Sequence, residues 1–259
     1  HLQNGLEANS ITKPVVSLPA IKKVIQPYPS FGGKPRETDD EQYRRVSERL
    51  RHKNRAITVW DYEHLVLQQF PEIYKAKCIS HATLEPTPCF LTPGHILVVV
   101  IPDMVNNHLF DFYRPRVSKA KLSEIKEFLN KRNGMHVKVA VVNPEYEEVT
   151  VDLQVRFHKG YDEHFHLKKL NEDITRFLSP HAFREADRIE FGAALHRSTL
   201  THWVEGLPYV DWVKELKLMK GGSAHARVIP SNPAAILVSA KQHRLAVITG
   251  SPEESIESE

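Results

Sequence analysis

Residues 149–180, VTVDLQVRFHKGYDEHFHLKKLNEDITRFLSP, decide the fold. Val149, Val151, Leu153, Val155 and Phe157 alternate with Thr150, Asp152, Gln154 and Arg156. That period of two describes a strand with one apolar and one wet face. His158-Lys-Gly160 turns the chain, and Asp162 stands where a helix N-cap belongs. Leu167, Leu170, Ile174, Phe177 and Leu178 then recur at helical spacing as one apolar stripe. Pro180 stops the helix by driving Ser179 out of the α region. A one-faced strand followed by a one-striped helix is half of an α+β layer.

The same grammar runs outward from this stretch. Tyr74–Ser80, His95–Ile101 and Val137–Val142 read as strands, with a helix capped by Ser118 carrying Leu122, Ile125, Phe128 and Leu129. Asn133-Gly134 ends that helix, so residues 74–142 read β-β-α-β. Asp103–Arg116 shows no period and reads as a loop. Beyond Pro180, Ile189–Phe191 reads as a short strand, Ser198 starts a helix through Leu200, Trp203 and Val204, and Val210–Met219 is a strand. Residues 146–222 therefore read β-α-α-β. Gly221-Gly222 reads as a hinge. Ala235–Ala240 and Arg244–Thr249 read as two strands joined into a hairpin by Lys241-Gln-His243, followed by an acidic, frayed tail from Ser251 to Glu259.

Toward the N-terminus, Thr38-Asp-Asp-Glu41 and Thr58-Val-Trp-Asp61 are two capping signals. Tyr43, Val46 and Leu50 form the stripe behind the first, and Tyr62, Leu65, Val66 and Phe70 that behind the second. Arg49, Arg51, Lys53 and Arg55 lie between the two helices. They are interleaved with Glu48, and they precede the second helix instead of sitting on its groove-reading face, so a solvated or partner-facing surface fits them better than a DNA-reading helix-turn-helix. Residues 1–36 hold Pro14, Pro19, Pro27, Pro29, Pro35 and Gly32-Gly33 around Val15, Val16, Leu18, Ile21, Val24 and Ile25. This is an extended arm whose apolar residues need a cover, either its own domain or a partner subunit.

The expected architecture is α+β. An extended arm (1–36) leads to a helical pair (37–73), two small units of helices on short mixed sheets (74–145 and 146–222), and a β-hairpin with an acidic tail (223–259). The two α+β units meet near Val142–Glu147. The 37–220 stretch is expected to fold alone, with both ends ordering on assembly or by packing back on it.

Composition sets limits on function. The chain has 259 residues, 26% charged and 41% hydrophobic, which is globular composition. Its 35 Lys+Arg against 32 Asp+Glu give a net charge of +3, so no nucleic-acid or anionic-membrane affinity is expected from charge alone. The longest apolar run, Ile96–Ile101, is far short of a membrane span, and no signal peptide is read. Cys78 and Cys89 are too few for a disulfide framework and fit a reducing compartment. The start at His1 reads as a processed piece or fragment of a longer protein.

A search for chemistry returns little. His158, His164 and His166 cluster near the start of one helix with Asp162 and Glu163, but residues two apart on a helix diverge, and the i, i+4 pair of a zinc helix is missing. Gly32-Gly33 is followed by Lys34-Pro35 and not by the Ser/Thr and helix start of a phosphate loop. Asp39-Asp40 and Glu147-Glu148 are cap and edge residues by context, and no G-x-S-x-G occurs. Trp60, Trp203 and Trp212 each lie on an apolar stripe and read as core residues or interface anchors. No catalytic, cofactor-binding or metal-ligating residue is assigned, and no enzymatic activity or cofactor is expected.

Several running stretches carry a family resemblance. Phe31-Gly-Gly-Lys-Pro-Arg-Glu-Thr-Asp-Asp-Glu-Gln-Tyr43, Arg55-Ala-Ile-Thr-Val-Trp-Asp-Tyr62 and Phe70-Pro-Glu-Ile73 with Lys75-Ala-Lys-Cys78 resemble the baseplate J-like proteins. These are wedge subunits of contractile phage tails and extracellular contractile injection systems. Asn143-Pro144, Gly160-Tyr-Asp162, Leu170-Asn-Glu-Asp-Ile174, Phe177-Leu-Ser-Pro-His-Ala-Phe183, Phe191-Gly192 and Val204–Asp211 resemble the injection-system branch. The resemblance covers about residues 31–220, and lies in packing and turn signals. It implies a structural protein in a ring of wedges around a central spike and hub. The implied partners are a second J-like subunit, the sheath initiator and the spike/hub proteins, with assembly in the bacterial cytoplasm and residence in the finished particle. Another protein-interaction module, or a nucleic-acid-binding protein, is the alternative.

Overall fold

The computed structural model describes residues 6–16, 19–30, 37–85, 87–103, 111, 113–183 and 189–248. Gly32-Gly33, most of the loop after Asp103 and the acidic tail fall outside the described residues. The chain forms two compact units, residues 1–53 and 54–259, and its secondary structure is the expected α+β mixture.

In the first unit the arm carries no helix or strand among its described residues. Its two limbs are tied together: the Ser30 amide donates to the Leu6 carbonyl (2.9 Å) and the Asn9 amide to that of Gln26 (2.8 Å). The Gln26 side-chain oxygen also accepts from the Ile11 amide at 3.1 Å. Helix α1 spans Asp39–His52 and opens with a full capping box. Thr38 Oγ1 accepts from the Glu41 amide (3.3 Å), and the Glu41 carboxylate accepts from the Thr38 amide (2.8 Å). Lys53, in the left-handed region, ends the helix.

The second unit begins with α2 (Val59–Gln69), whose Thr58/Asp61 box repeats that cap. Strands β1 (Ile73–Ser80), β2 (His95–Pro102) and β3 (Lys138–Val142) form a sheet in the order β1-β2-β3, with α3 (Lys119–Asn130) as the crossover between β2 and β3. β1 runs antiparallel to β2, and β3 parallel to it. β2 reads as an unbroken apolar run because both its faces are covered. Val98 and Val100 meet Leu65, Ile125 and Leu129 on one side. Leu97, Val99 and Ile101 meet Ala234, Ile236 and Val238 on the other.

β3 passes through Asn143-Pro144 into the long strand β4 (Glu145–Phe157). Helix α4 (Glu163–Leu178) follows, capped by Asp162, whose carboxylate accepts from the Phe165 amide at 2.6 Å. After a 3-10 turn at Pro180–Phe183 come β5 (Leu195–His196), α5 (Arg197–Glu205) and β6 (Val210–Lys220). Val149, Val151, Leu153 and Val155 from β4 meet Leu170 and Ile174 from α4, Leu200 and Val204 from α5, and Leu218 from β6. The alternation read at 149–157 and the stripe at 167–178 are thus two sides of one core.

The C-terminal strands differ from expectation. A hairpin does form, but its turn is Gly221-Gly222: both glycines have positive φ, and β6 pairs antiparallel with β7 (Ser223–His225). After β8 (Arg227–Val228), which pairs with β5, strands β9 (Ala235–Ser239) and β10 (Arg244–Val247) do not pair with each other. Both run parallel to β4, β9 beside Glu145–Val149 and β10 beside Asp152–Val155. They are one strand interrupted by a jog at 240–243, and this end packs back on its own core. Antiparallel and parallel strands share the same alternation, so the pattern alone does not name the partner. Ile189–Phe191 likewise forms no strand. Ile189 and Phe191 pack between β2 and β9, and Gly192, at φ +68°, donates its amide to the Ala235 carbonyl (2.9 Å).

Candidate functional site

The candidate residues from the sequence are dispersed. His164 is exposed, His158 lies 3.6 Å from the Asp211 carboxylate, and His166 donates Nδ1–H to the Asp162 carbonyl at 2.7 Å. His166 also packs among Tyr161, Phe165, Phe157 and Tyr209, which makes it part of an aromatic cluster. Among the described residues no group of three or more His, Cys, Asp or Glu is placed to hold a metal ion. Cys78 is buried and its thiol is pushed up to about 12 by burial, whereas Cys89 is exposed and its thiol is lowered by hydrogen bonds from Thr92 and Leu91. Trp60 stacks on His64 (centroids 3.9 Å apart), and Trp203 packs at a tilt on Phe177 (4.5 Å). Trp212 is half-buried on β6.

Glu147 and Glu148 are ion-paired. Glu148 meets Arg114, and Glu147 takes Lys220 Nζ at 2.5 Å and the Ser231 amide at 2.8 Å. Burial pushes the Glu147 carboxyl up, but these bonds outweigh it and hold the group below its ordinary value. With Asn232 Nδ2 bonded to Glu145 (2.6 Å), they fasten the 229–234 turn to the start of β4.

A Ser–His pair not foreseen from the sequence sits at the jog between β9 and β10. Ser239 Oγ lies 3.0 Å from His243 Nε2. Its wiring runs against nucleophile activation. His243 Nδ1 accepts from the Val151 amide (3.2 Å), so the neutral ring carries its proton on Nε2 and donates it to Ser239. Ser239 passes its own proton to the Ala240 carbonyl at 2.7 Å. A general base needs a free lone pair on the nitrogen facing the hydroxyl, and here that nitrogen is the donor. The arrangement repairs a sheet: where the strand jogs away from β4, the imidazole supplies the acceptor that Val151 would otherwise lack. Ser179 and Asn171 complete it, accepting from the Ser239 (3.0 Å) and His243 (3.1 Å) amides. Burial lowers the His243 pKa to about 4. The sequence signal was Lys241-Gln-His243, which reads as an ordinary turn.

The largest unexplained feature is apolar surface. In the first unit Val15 is fully exposed, Tyr28 74%, Tyr43 71% and Leu50 70% exposed, with Ile11, Val16, Ile21, Ile25 and Val46 also open. In the second unit Leu170, Ile174 and Val149–Val155 of the β4 alternation are buried. These exposed apolar side chains are spread over the arm and α1 of the first unit.

The family model for PVC11-like baseplate proteins matches residues 1–238. Among solved structures, a chain of the anti-feeding prophage (AFP) baseplate, determined by cryo-EM with six-fold symmetrisation, is similar with a TM-score of 0.67 at 23% identity. The likeness covers 93% of this chain and 50% of that one, so the present chain spans about half the length of the solved chain it resembles. At this identity the likeness is one of fold. None of the curated proteins matches the chain.

Proposed function

The chain belongs to the PVC11-like baseplate protein family, and from that premise we propose that it is a structural wedge subunit of the baseplate J-like type in a contractile injection system. It assembles in a ring around the spike and hub, pairs with a second J-like subunit and links the ring to the sheath initiator. It works without catalysis or cofactor, assembles in the bacterial cytoplasm and stays in the finished particle. Among the described residues no helix is long and apolar enough to cross a membrane.

One observation carries this reading: the first unit exposes the apolar stripe of α1 and most of the arm's apolar residues, while the second buries a complete core of its own. A subunit with a self-sufficient body and an uncovered appendage suits a ring whose links rearrange while its rigid bodies persist. The test is co-expression with the other baseplate components. Tyr43→Asp/Leu50→Asp is expected to fold as the parent does yet be missing from purified baseplates. Parental incorporation of this variant would overturn the reading.

A further inference from the structure

Among the described residues β3 is an open edge of its sheet, paired on one side, with β2. The Lys138 amide donates to the Gly94 carbonyl at 2.8 Å, which points residue 138 toward β2. Alternation then points the amides and carbonyls of Val139 and Val141 away from it, and no backbone hydrogen bond engages them among the described residues. Unpaired strand edges are templates for another strand unless blunted. This edge is instead framed. It forms the floor of a groove of about 480 Å³, walled by Leu122 and Ser123 of α3 and by the Ala82–Glu85 segment. A strand edge beside a helix is the geometry by which extended peptides are taken up as an added strand, with backbone bonds giving affinity and side pockets giving selectivity.

The rim specifies the charge of the occupant. Among the described residues, Lys119, Lys126 and Lys138 line the groove against a single carboxylate, Glu85. All three lysines are exposed, and none has an ion-pair partner among the described residues. An extended, acidic segment with an aliphatic side chain for the apolar floor fits. The chain carries such a segment in its own sequence: Ser251-Pro-Glu-Glu-Ser-Ile-Glu-Ser-Glu259, with Ile256 amid four glutamates. Within one molecule the reach is poor. β10 runs parallel to β4 and ends opposite Val155, ten residues along β4 from Glu145, where β3 hands over. At about 3.3 Å per residue that is about 33 Å. Residues 249–259 extend to about 37 Å in all, and laying about five of them along the groove leaves about 20 Å to span the gap.

We propose that the β3 groove takes residues Ser251–Glu259 of a second copy as an added edge strand. Such a head-to-tail contact is heterologous and closes copies into a ring when the rotation allows. The proposal does not depend on the wedge reading. It is measured on the isolated chain, and the wedge reading in assembled particles, so each fails separately.

The test uses the full chain at low concentration and a fluorescent synthetic peptide of residues 249–259. Saturable binding is expected, weakened about tenfold or more by Lys119→Glu/Lys126→Glu and for a peptide of the same composition in scrambled order, since charge at the rim and register at the edge both contribute. Exchange of the Val139 and Val141 amides is expected to slow on binding. Sedimentation should show concentration-dependent self-association that is lost in Glu253→Lys/Glu254→Lys/Glu257→Lys and regained on mixing this chain with the Lys→Glu chain. Absence of peptide binding, equal binding of the scrambled peptide, or protection of Val139 and Val141 independent of chain concentration, which would mean the chain's own tail fills the groove, would each overturn the proposal.

Discussion

Helices α1 and α4 are written in the same grammar and have opposite fates. Each opens on a side-chain cap and carries an apolar stripe at helical spacing. In α4, Leu170 and Ile174 are completely buried against β4 and β10. In α1, Tyr43 and Leu50 remain 71% and 70% exposed. The difference teaches that an amphipathic pattern states that a helix has a face to cover, and not what covers it. Where a covering strand lies within the same unit the stripe becomes core; the α1 stripe has no such strand among the described residues of its unit.

The sharpest way to break this contrast is truncation of a buried stripe residue. Leu170→Ala is expected to destabilise the chain by about 2–5 kcal/mol, the range for core cavities. Urea denaturation followed by circular dichroism measures it, and a midpoint equal to the parent's would show that the α4 stripe is not core.

Acidification should strike the second unit next. His243 is neutral in the fold with its pKa lowered by burial to about 4, against an ordinary 6.5. Between these values the unfolded chain binds the additional proton, so stability is full above about pH 6.5, falls with pH, and has lost this contribution below about pH 4. A shift of this size is on the order of 3 kcal/mol. Protonation also removes the Nδ1 lone pair that receives the Val151 amide. Thermal melts at stepped pH should show the loss in the parent and a flatter profile in His243→Gln; identical profiles would remove His243 from the account.

Gly192→Ala tests how closely the 191–235 segments pack. A Cβ there would stand 2.9 Å from the Pro233 Cα, in a backbone conformation of φ +68°. Side chains avoid that region, and the expected loss is about 1–3 kcal/mol. An unchanged melting temperature would indicate that the turn opens without consequence.

The smallest effect is expected in α1. Leu50→Ala should move stability by no more than about 0.5 kcal/mol in the isolated chain, as exposed substitutions do. Hydrogen exchange sharpens the point. Amides of Val151–Phe157 should open only with the whole second unit, and those of the arm and α1 far more readily. Equal protection in both would mean that the first unit is as firmly held as the second, and the contrast would fall.

Much of the fold was legible because its signals are local. Thr38 with Glu41, Thr58 with Asp61 and Asp162 with the Phe165 amide are caps whose partners lie three residues apart, and all form. The strands read at 74–80, 95–101 and 210–219 came from period-two or continuous apolar runs, and each forms. What escaped is long-range. The Ser239–His243–Val151 network joins positions 92 residues apart, and no spacing rule foretells it. The open β3 edge was equally hidden, since Lys138–Val142 has the composition of any half-buried strand.

By itself, then, the amino-acid sequence determined helices α1 to α5 and the longer strands, and which of their faces are apolar, because those choices rest on propensity, capping and periodicity within a few residues; the short strands β7 and β8 carried no such signal. Only the tertiary structure decided that 235–239 and 244–247 lie parallel along β4 and not against each other, that Gly221-Gly222 is the hairpin turn, and that the α1 stripe is left open. The first is a choice of partner made between distant residues. It is settled by which pairing buries the most apolar surface while satisfying every backbone group, as when His243 fills the vacancy at Val151.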